Sequence, residues 1–281
     1  MNKLILDPKV SLNIKWCEKI LDSSLYSDLN NNIDLANCDS LYTKCESVCN
    51  WYDDVVSGRE YFSLKIIDEI LYGNNEDHLV VILGAYDSLL SLELLRKNYP
   101  HLDMIIEIDS KGMDKKKELY NTCFPELSDR IKCITADISY SAVRELIRSM
   151  IKEYYGGKHC IILMEGMLQN IPEKKFKDIL FCMKSENRNN TLIFDSLVPL
   201  SEVSNEYKDI ELEIFNVLRQ PGETDLLQRY TSERINEILA ENGGQLLDNT
   251  DMYNLEKKRY GKNIHFGSSS DSWQRYSAWK L

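Results

Sequence analysis

From residue 78 onward, short, largely apolar runs alternate with amphipathic segments. The runs are Leu79–Leu83, Met104–Ile108, Ile131–Ile134, Cys160–Met164 and Thr191–Phe194. A run with no polar face suits a strand buried on both sides. The segments between them, at about 87–98, 111–121, 139–155 and 172–185, carry helical patterns. Strand–helix alternation on this scale implies parallel βαβ units with right-handed crossovers, and so a doubly wound α/β sheet.

The flanks read differently. Residues 1 to about 75 show no strand alternation. Tyr61, Phe62, Leu64, Ile66, Ile67, Ile70 and Leu71 form a helical stripe that Tyr72-Gly73-Asn74-Asn75 ends. After residue 200 a helix pattern spans about 203–218, followed by a turn at Gln220-Pro221-Gly222. A second helix runs from about Ser232 to Asn242 and stops at Gly243-Gly244. The aromatic stretch Trp273–Trp279 reads as a closing strand. The expected organisation is one domain over 1–281. It has a helical N-terminal cap at 1–75 and a core at 76–281, with a helical insertion at about 200–230.

Composition bounds the partners. The formal charge is −11, from 34 basic and 45 acidic residues. Nucleic-acid binding by counterion release needs Lys and Arg gathered on one face. The basic runs here are short, Lys115-Lys116-Lys117 and Lys257-Lys258-Arg259, and read as solvated helix faces. No nucleic-acid partner is therefore expected. A membrane partner is not expected either, because no run approaches the ~18 apolar residues of a span. The eight cysteines are scattered, and Cys133 and Cys160 fall inside apolar runs as small hydrophobes. With no signal-peptide pattern at the N-terminus, free thiols in a reducing cytoplasm are the simplest reading. Cys45 and Cys49 have no second pair and no nearby His, so no metal site is expected.

In an open parallel sheet, ligands bind beyond the carboxyl ends of the strands. The first run leads into Gly84-Ala85, where glycine lets a ligand approach the backbone. Asp87 and Ser88 are suited to cap the next helix. This signal fits a structural turn as well as a ligand loop. The second run ends in Glu107-Ile108-Asp109, placed to accept hydrogen bonds from a ribose diol, or else an ordinary acidic strand end. The third leads to Asp137-Ile138, a carboxylate and an amide that could hold an adenine edge. The fourth ends in Met164-Glu165-Gly166, with Glu165 placed to meet an ammonium. The loop GAYDSL has one glycine and not the G-x-G-x-x-G of nicotinamide dehydrogenases. No G-x-x-x-x-G-K-[ST] and no G-x-S-x-G occurs. Acids at successive strand ends without a phosphate loop fit a nucleoside that carries a zwitterion, S-adenosylmethionine.

At this point the chain resembles the leucine carboxyl methyltransferase family of class I methyltransferases, from about residue 37 to the end. Asp39-Ser40-Leu41-Tyr42-Thr43-Lys44 resembles its D-x-x-x-x-K element, and Gly58-Arg59-Glu60-Tyr61-Phe62 its arginine-bearing helix. Leu83-Gly84-Ala85-Tyr86-Asp87-Ser88 resembles L-G-A-G-x-D-T. Glu107-Ile108-Asp109 with Lys115 to Lys117 resembles E-x-D and its lysine-bearing helix, and Ala136-Asp137-Ile138 resembles A-D-L. The stretch Glu165 to Glu173 resembles E-G-x-L-x-Y-L-x-x-E. The resemblance implies a Rossmann-like, mostly parallel sheet with an antiparallel C-terminal strand. It implies Lys44 and Arg59 on the cofactor's carboxylate and Gly84 against its amino-acid portion. Asp109 would then hold the ribose, Asp137 and Ile138 flank the adenine, and Glu165 receive the amino group. Two departures stand out. Tyr86 directly follows GA where the family has a second glycine, which makes the loop one residue shorter. Asn170 replaces the family's acceptor-side tyrosine.

A carboxylate acceptor is already anionic near neutral pH and needs positioning rather than a base, whereas a hydroxyl wants a general base. Of four histidines, His78 and His101 read as surface residues before strands, and His159 sits at the amino end of the fourth strand. His265 alone reads as a possible acceptor neighbour. Candidate acceptor contacts are Asn170, Tyr207, Arg219, Arg229 and Tyr230. The expected function is a cytoplasmic, S-adenosylmethionine-dependent O-methyltransferase for a carboxylate of a small molecule or peptide. The alternatives are hydroxyl methylation of a natural product, or a non-catalytic binding module of the same fold.

Overall fold

The computed structural model describes residues 3–73, 75–154, 159–184, 190–219 and 227–281. The N-terminal quarter folds as helices α1 (Pro8–Trp16), α2 (Ser23–Asn32), α3 (Asp39–Val48) and α4 (Tyr52–Gly73). Asp7 and Asp22 cap α1 and α2 by accepting backbone N–H bonds. One isolated bridge, Leu4 to Ile33, is the only pairing outside the main sheet among the described residues. The core then runs as β1 (His78–Leu83), α5 (Leu90–Arg96), β2 (Leu102–Asp109), α6 (Met113–Cys123), α7 (Pro125–Ser128), β3 (Ile131–Thr135), α8 (Ser141–Tyr154), β4 (His159–Met164), α9 (Glu173–Met183) and β5 (Thr191–Leu197). It closes with α10 (Asn205–Leu218), α11 (Ser232–Glu241), β6 (Gln245–Asp251), α12 (Met252–Tyr260) and β7 (Gln274–Lys280).

The strands form one seven-stranded sheet in the order β3-β2-β1-β4-β5-β7-β6. Strands β1 to β5 are parallel, while β7 runs antiparallel to both β5 and β6. All six residues of β1 are buried, as its unbroken apolar run requires. Alternate residues serve two cores. Val80, Ile82, Ile105 and Ile161 pack with Phe62, Ile66 and Ile67 of α4. Leu79, Val81, Ile106 and Ile162 pack with Phe176 and Ile179 of α9 and Ile238 of α11. The strand order reverses between β1 and β4, the point at which two diverging loops open a crevice at the carboxyl edge.

The structure corrects several expectations. The helix after β1 starts at Leu90, later than expected, and Asp87 caps nothing. His78 is buried, as the first residue of β1, where its ring meets His159 edge-on. Of the expected solvated run, Lys116 is 3% exposed, because a carboxylate waits inside for it (below). Strand β6 was not expected, and of α12 only the basic face Lys257-Lys258-Arg259 reads as helical in the sequence. The turn at Gln220-Pro221-Gly222 lies outside the described residues. Among the described residues no helix is long and apolar enough to cross a membrane.

Candidate functional site

A cleft of about 410 Å³ opens at the β1/β4 switch point. That volume falls in the range of small-molecule sites. Its floor is the loop after β1. The Gly84 N–H donates to the Ile108 carbonyl at 2.9 Å. Gly84 has φ +69°, and a Cβ there would come within 3.3 Å of the Met167 Sδ atom. Glycine thus keeps both the turn and the space above it open.

Four carboxylates line up across the sheet's edge. Asp109 ends β2; its Oδ2 accepts the Tyr86 N–H at 3.1 Å and its Oδ1 the Lys111 N–H at 3.3 Å. Asp137 follows β3, with Oδ1 accepting the Ser139 N–H at 2.8 Å, and Ile138 forms a buried wall beside it. Glu165 follows β4 and accepts from the Ser63 hydroxyl of α4 at 2.5 Å. Asp195, one residue past the β4–β5 pair Met164–Phe194, is fully buried and accepts the Gly166 N–H at 2.6 Å.

Helix α4 sets Arg59 against this row. Asp195, Glu165 and Asp87 together hold its guanidinium protonated well beyond the ordinary arginine range, against the opposing effect of burial. Burial pushes the Glu165 and Asp195 carboxyls up, and Arg59 pulls both back. The Arg59 Nε is buried and has no hydrogen-bond partner among the described residues. The adjacent Glu60 is 2% exposed, and burial together with repulsion from Glu165 pushes its carboxyl up to about 7. The cleft therefore sets the buried Arg59 among acids, with Lys9, Lys111 and Arg219 also in its lining, a donor set suited to a ligand carrying an ammonium, a carboxylate and a diol.

Beneath the cleft, Glu107 of β2 is fully buried. It takes a 2.9 Å ion pair from Lys116, a bond from Tyr120 at 2.8 Å and one from Ser91. Lys116 also donates to the Ala85 carbonyl, which ties α6 to the β1 loop. Glu107 is thus committed to structure, and Asp109, two residues on, faces the ligand side.

Arg59, Gly84, Asp109, Asp137, Ile138 and Glu165 all line the cleft, as do Asn170 and Arg219. Lys44 does not. It lies exposed on α3, whose inward position is taken by Cys45, so the helix turns the lysine to solvent. The other acceptor candidates are spent on packing. Arg229 pairs with the buried Glu211 of α10 at 2.9 Å. Tyr207 donates to the His265 carbonyl and packs on Trp51. Tyr230 is buried, with its hydroxyl on the Ile171 carbonyl at 3.3 Å. His265 bonds Asp54 at 2.9 Å and stacks on Trp51, away from the cleft.

Sequence reasoning missed Asp195, Asp87 and the contribution of α1. Asp195 carried a readable signal, since it directly follows the fifth apolar run, just as Glu165 follows the fourth. Asn13 of α1 lines the cleft and donates to the Asp87 carbonyl at 2.8 Å, a long-range contact with no sequence signature. Among the described residues no three His, Cys, Asp or Glu side chains gather to hold a metal ion.

No family model matches the chain, and no curated protein matches it. Solved structures do. A candidate methyltransferase from Thermobifida fusca superposes with a TM-score of 0.60 at 10% identity, covering 97% of this chain and 93% of that one. A DUF574 family protein from Streptomyces avermitilis does so with 0.59 at 8% identity, covering 94% and 99%. The small RNA methyltransferase HEN1 gives 0.52 at 13% identity, covering 79% of this chain and 25% of that one. At such identities the likeness is one of fold. Together with the strand order and the antiparallel β7, it makes this chain a Rossmann-like sheet of the class I methyltransferase type.

Proposed function

We propose that the chain is an S-adenosylmethionine-dependent O-methyltransferase acting on a carboxylate of a small molecule or peptide. The observation that carries this reading is the set Asp109, Asp137 and Glu165, at or just past the ends of β2, β3 and β4, lining one cleft with Arg59, which the buried Asp195 backs from within β5. In this reading Asp109 takes the ribose hydroxyls and Asp137 with Ile138 flanks the adenine. Glu165 takes the ammonium and Arg59 the carboxylate of the amino-acid portion. The fit has structural support. The orphaned Nε of Arg59 wants an acceptor, and Gly84 leaves a cradle that a side chain would crowd. The order of these residues also supports the resemblance to the leucine carboxyl methyltransferase family, although Lys44 does not join them.

When bound, S-adenosylmethionine supplies a methyl group on a cationic sulfur leaving group. The residues of the chain then have to align and shield rather than activate. An acceptor carboxylate brings its own negative charge. Arg219 and Asn170 line the cleft and are suited to hold it. No histidine lines the cleft among the described residues, which favours an acceptor that needs no base. Phe215 and Leu218 of α10 add apolar cover that excludes water.

Titration calorimetry with S-adenosylmethionine tests the reading. Binding at micromolar to millimolar concentration is expected, and no binding at millimolar cofactor refutes it. With an acceptor panel, a base-labile methyl ester is the expected product. A base-stable methyl ether overturns the carboxylate assignment and leaves the cofactor assignment standing.

A further inference from the structure

The loop after β1 departs from the family pattern at Tyr86, a bulky residue where close backbone approach favours glycine. The structure shows where that bulk goes. The Tyr86 ring lies over Gly112, the left-handed residue just before α6, with φ +74°. A Cβ at position 112 would stand 1.9 Å from the Tyr86 Cε2 and 2.2 Å from its Cδ2, far inside any real contact. The ring therefore occupies the volume that the missing Gly112 side chain leaves. Its backbone N–H, meanwhile, holds the Oδ2 of Asp109 at 3.1 Å. Tyr86 also lines the cleft itself.

Resting on the cofactor reading above, we propose that Tyr86 is a positioning residue for the ribose end of the site. Its ring is seated on Gly112 so that its backbone can orient Asp109, and the glycine requirement of this loop has moved to position 112. The two residues lie 26 apart in sequence but form one unit. The unit joins the β1 loop to the start of α6, as Lys116 does from beneath through the Ala85 carbonyl. Asp109 keeps acceptor capacity for a diol, because a carboxylate offers about four lone-pair sites and the loop uses only some of them. A side chain at position 112 would evict the ring, and the cleft is the open space beside it. The consequence is a disordered Asp109 and a partly filled ribose pocket.

The test compares wild type, G112N, Y86A and Y86A/G112N. Asparagine tolerates the left-handed backbone, so G112N brings in the Cβ with little backbone strain. Affinity for S-adenosylmethionine is measured by equilibrium dialysis, and urea unfolding is followed without ligand. G112N is expected to bind at least tenfold more weakly than wild type. Y86A/G112N should return to within about threefold of Y86A. G112N binding like wild type, or a double variant as weak as G112N, overturns the inference. If G112N does not fold while the double variant does, the ring's seat is supported directly; equal loss of folding in both overturns it. If wild type itself binds no cofactor, the functional reading fails separately. The seat is then judged in the ligand-free protein from the ring resonance of 13C-labelled Tyr86, which must move in G112N, and an unmoved resonance overturns it.

Discussion

Replacing Glu60 by glutamine should make the protein relatively more stable as pH rises. Glu60 sits on α4 beside Arg59, is 2% exposed and lies against Cys17. Burial and the nearby Glu165 raise its carboxyl from 4.5 to about 7, with the Cys17 thiol and Arg59 only partly offsetting them. Below pH 4.5 the group is protonated in both the folded and unfolded chain and contributes no difference. Above pH 7 it is ionised in both, and the folded state carries the whole penalty. Across that window the folded state binds more protons, so stability falls with rising pH by up to about 1.4 kcal/mol per pH unit. The total is about 3 kcal/mol. Glutamine keeps the shape and cannot ionise, so Glu60→Gln removes this slope. Urea unfolding of both proteins at pH 5, 6, 7 and 8, followed by tryptophan fluorescence, reads the difference. The variant should gain on wild type by about 2–3 kcal/mol between pH 5 and pH 8. A difference that is flat, or that favours wild type at high pH, refutes the claim that this carboxyl is held protonated by its surroundings. Other titrating groups largely cancel, because they are common to both proteins.

Three further outcomes follow from the site. Asp109→Ala and Glu165→Ala should each weaken S-adenosylmethionine binding at least tenfold, about 1.4 kcal/mol, by calorimetry. Lys44→Ala, on the exposed face of α3, should leave that affinity within twofold, and a larger loss would bring the lysine back to the site. Lys116→Met should destabilise the fold by about 3–5 kcal/mol in denaturant titration. It strands the fully buried Glu107 without its counter-charge, and a cost under about 1 kcal/mol would contradict the assigned ion pair.

The fold was legible where the local pattern was strong. Strands β1, β4 and β5 are buried along nearly their whole length, so they show as strongly apolar runs, and β2 and the edge strand β3 show as shorter ones. Strand β6 escaped notice because Gln245–Asp251 is polar at most positions. It pairs with a neighbour on one side only, its first three residues are exposed, and its register shifts between Leu246 and Asp248. Nothing in its own residues marks it; only β7 does. The acids of the site were legible by one rule, a carboxylate just past an apolar run. That rule found Asp109, Asp137 and Glu165, and it would have found Asp195.

By itself, the sequence determined the doubly wound architecture, the place of the cleft and the acids around it. These are set by local periodicity and by where each strand ends. The tertiary structure alone decided which charged residues line the cleft. Lys116 and Arg229 look like Arg59 and Arg219 in a sequence, yet the first two pair with buried carboxylates away from the cleft, while Arg59, among its own carboxylates, and Arg219 line it. Tyr86 looks like an obstacle until Gly112 is brought beneath it. Pairing of buried charges and sharing of volume depend on partners far along the chain, and only folding brings those partners together.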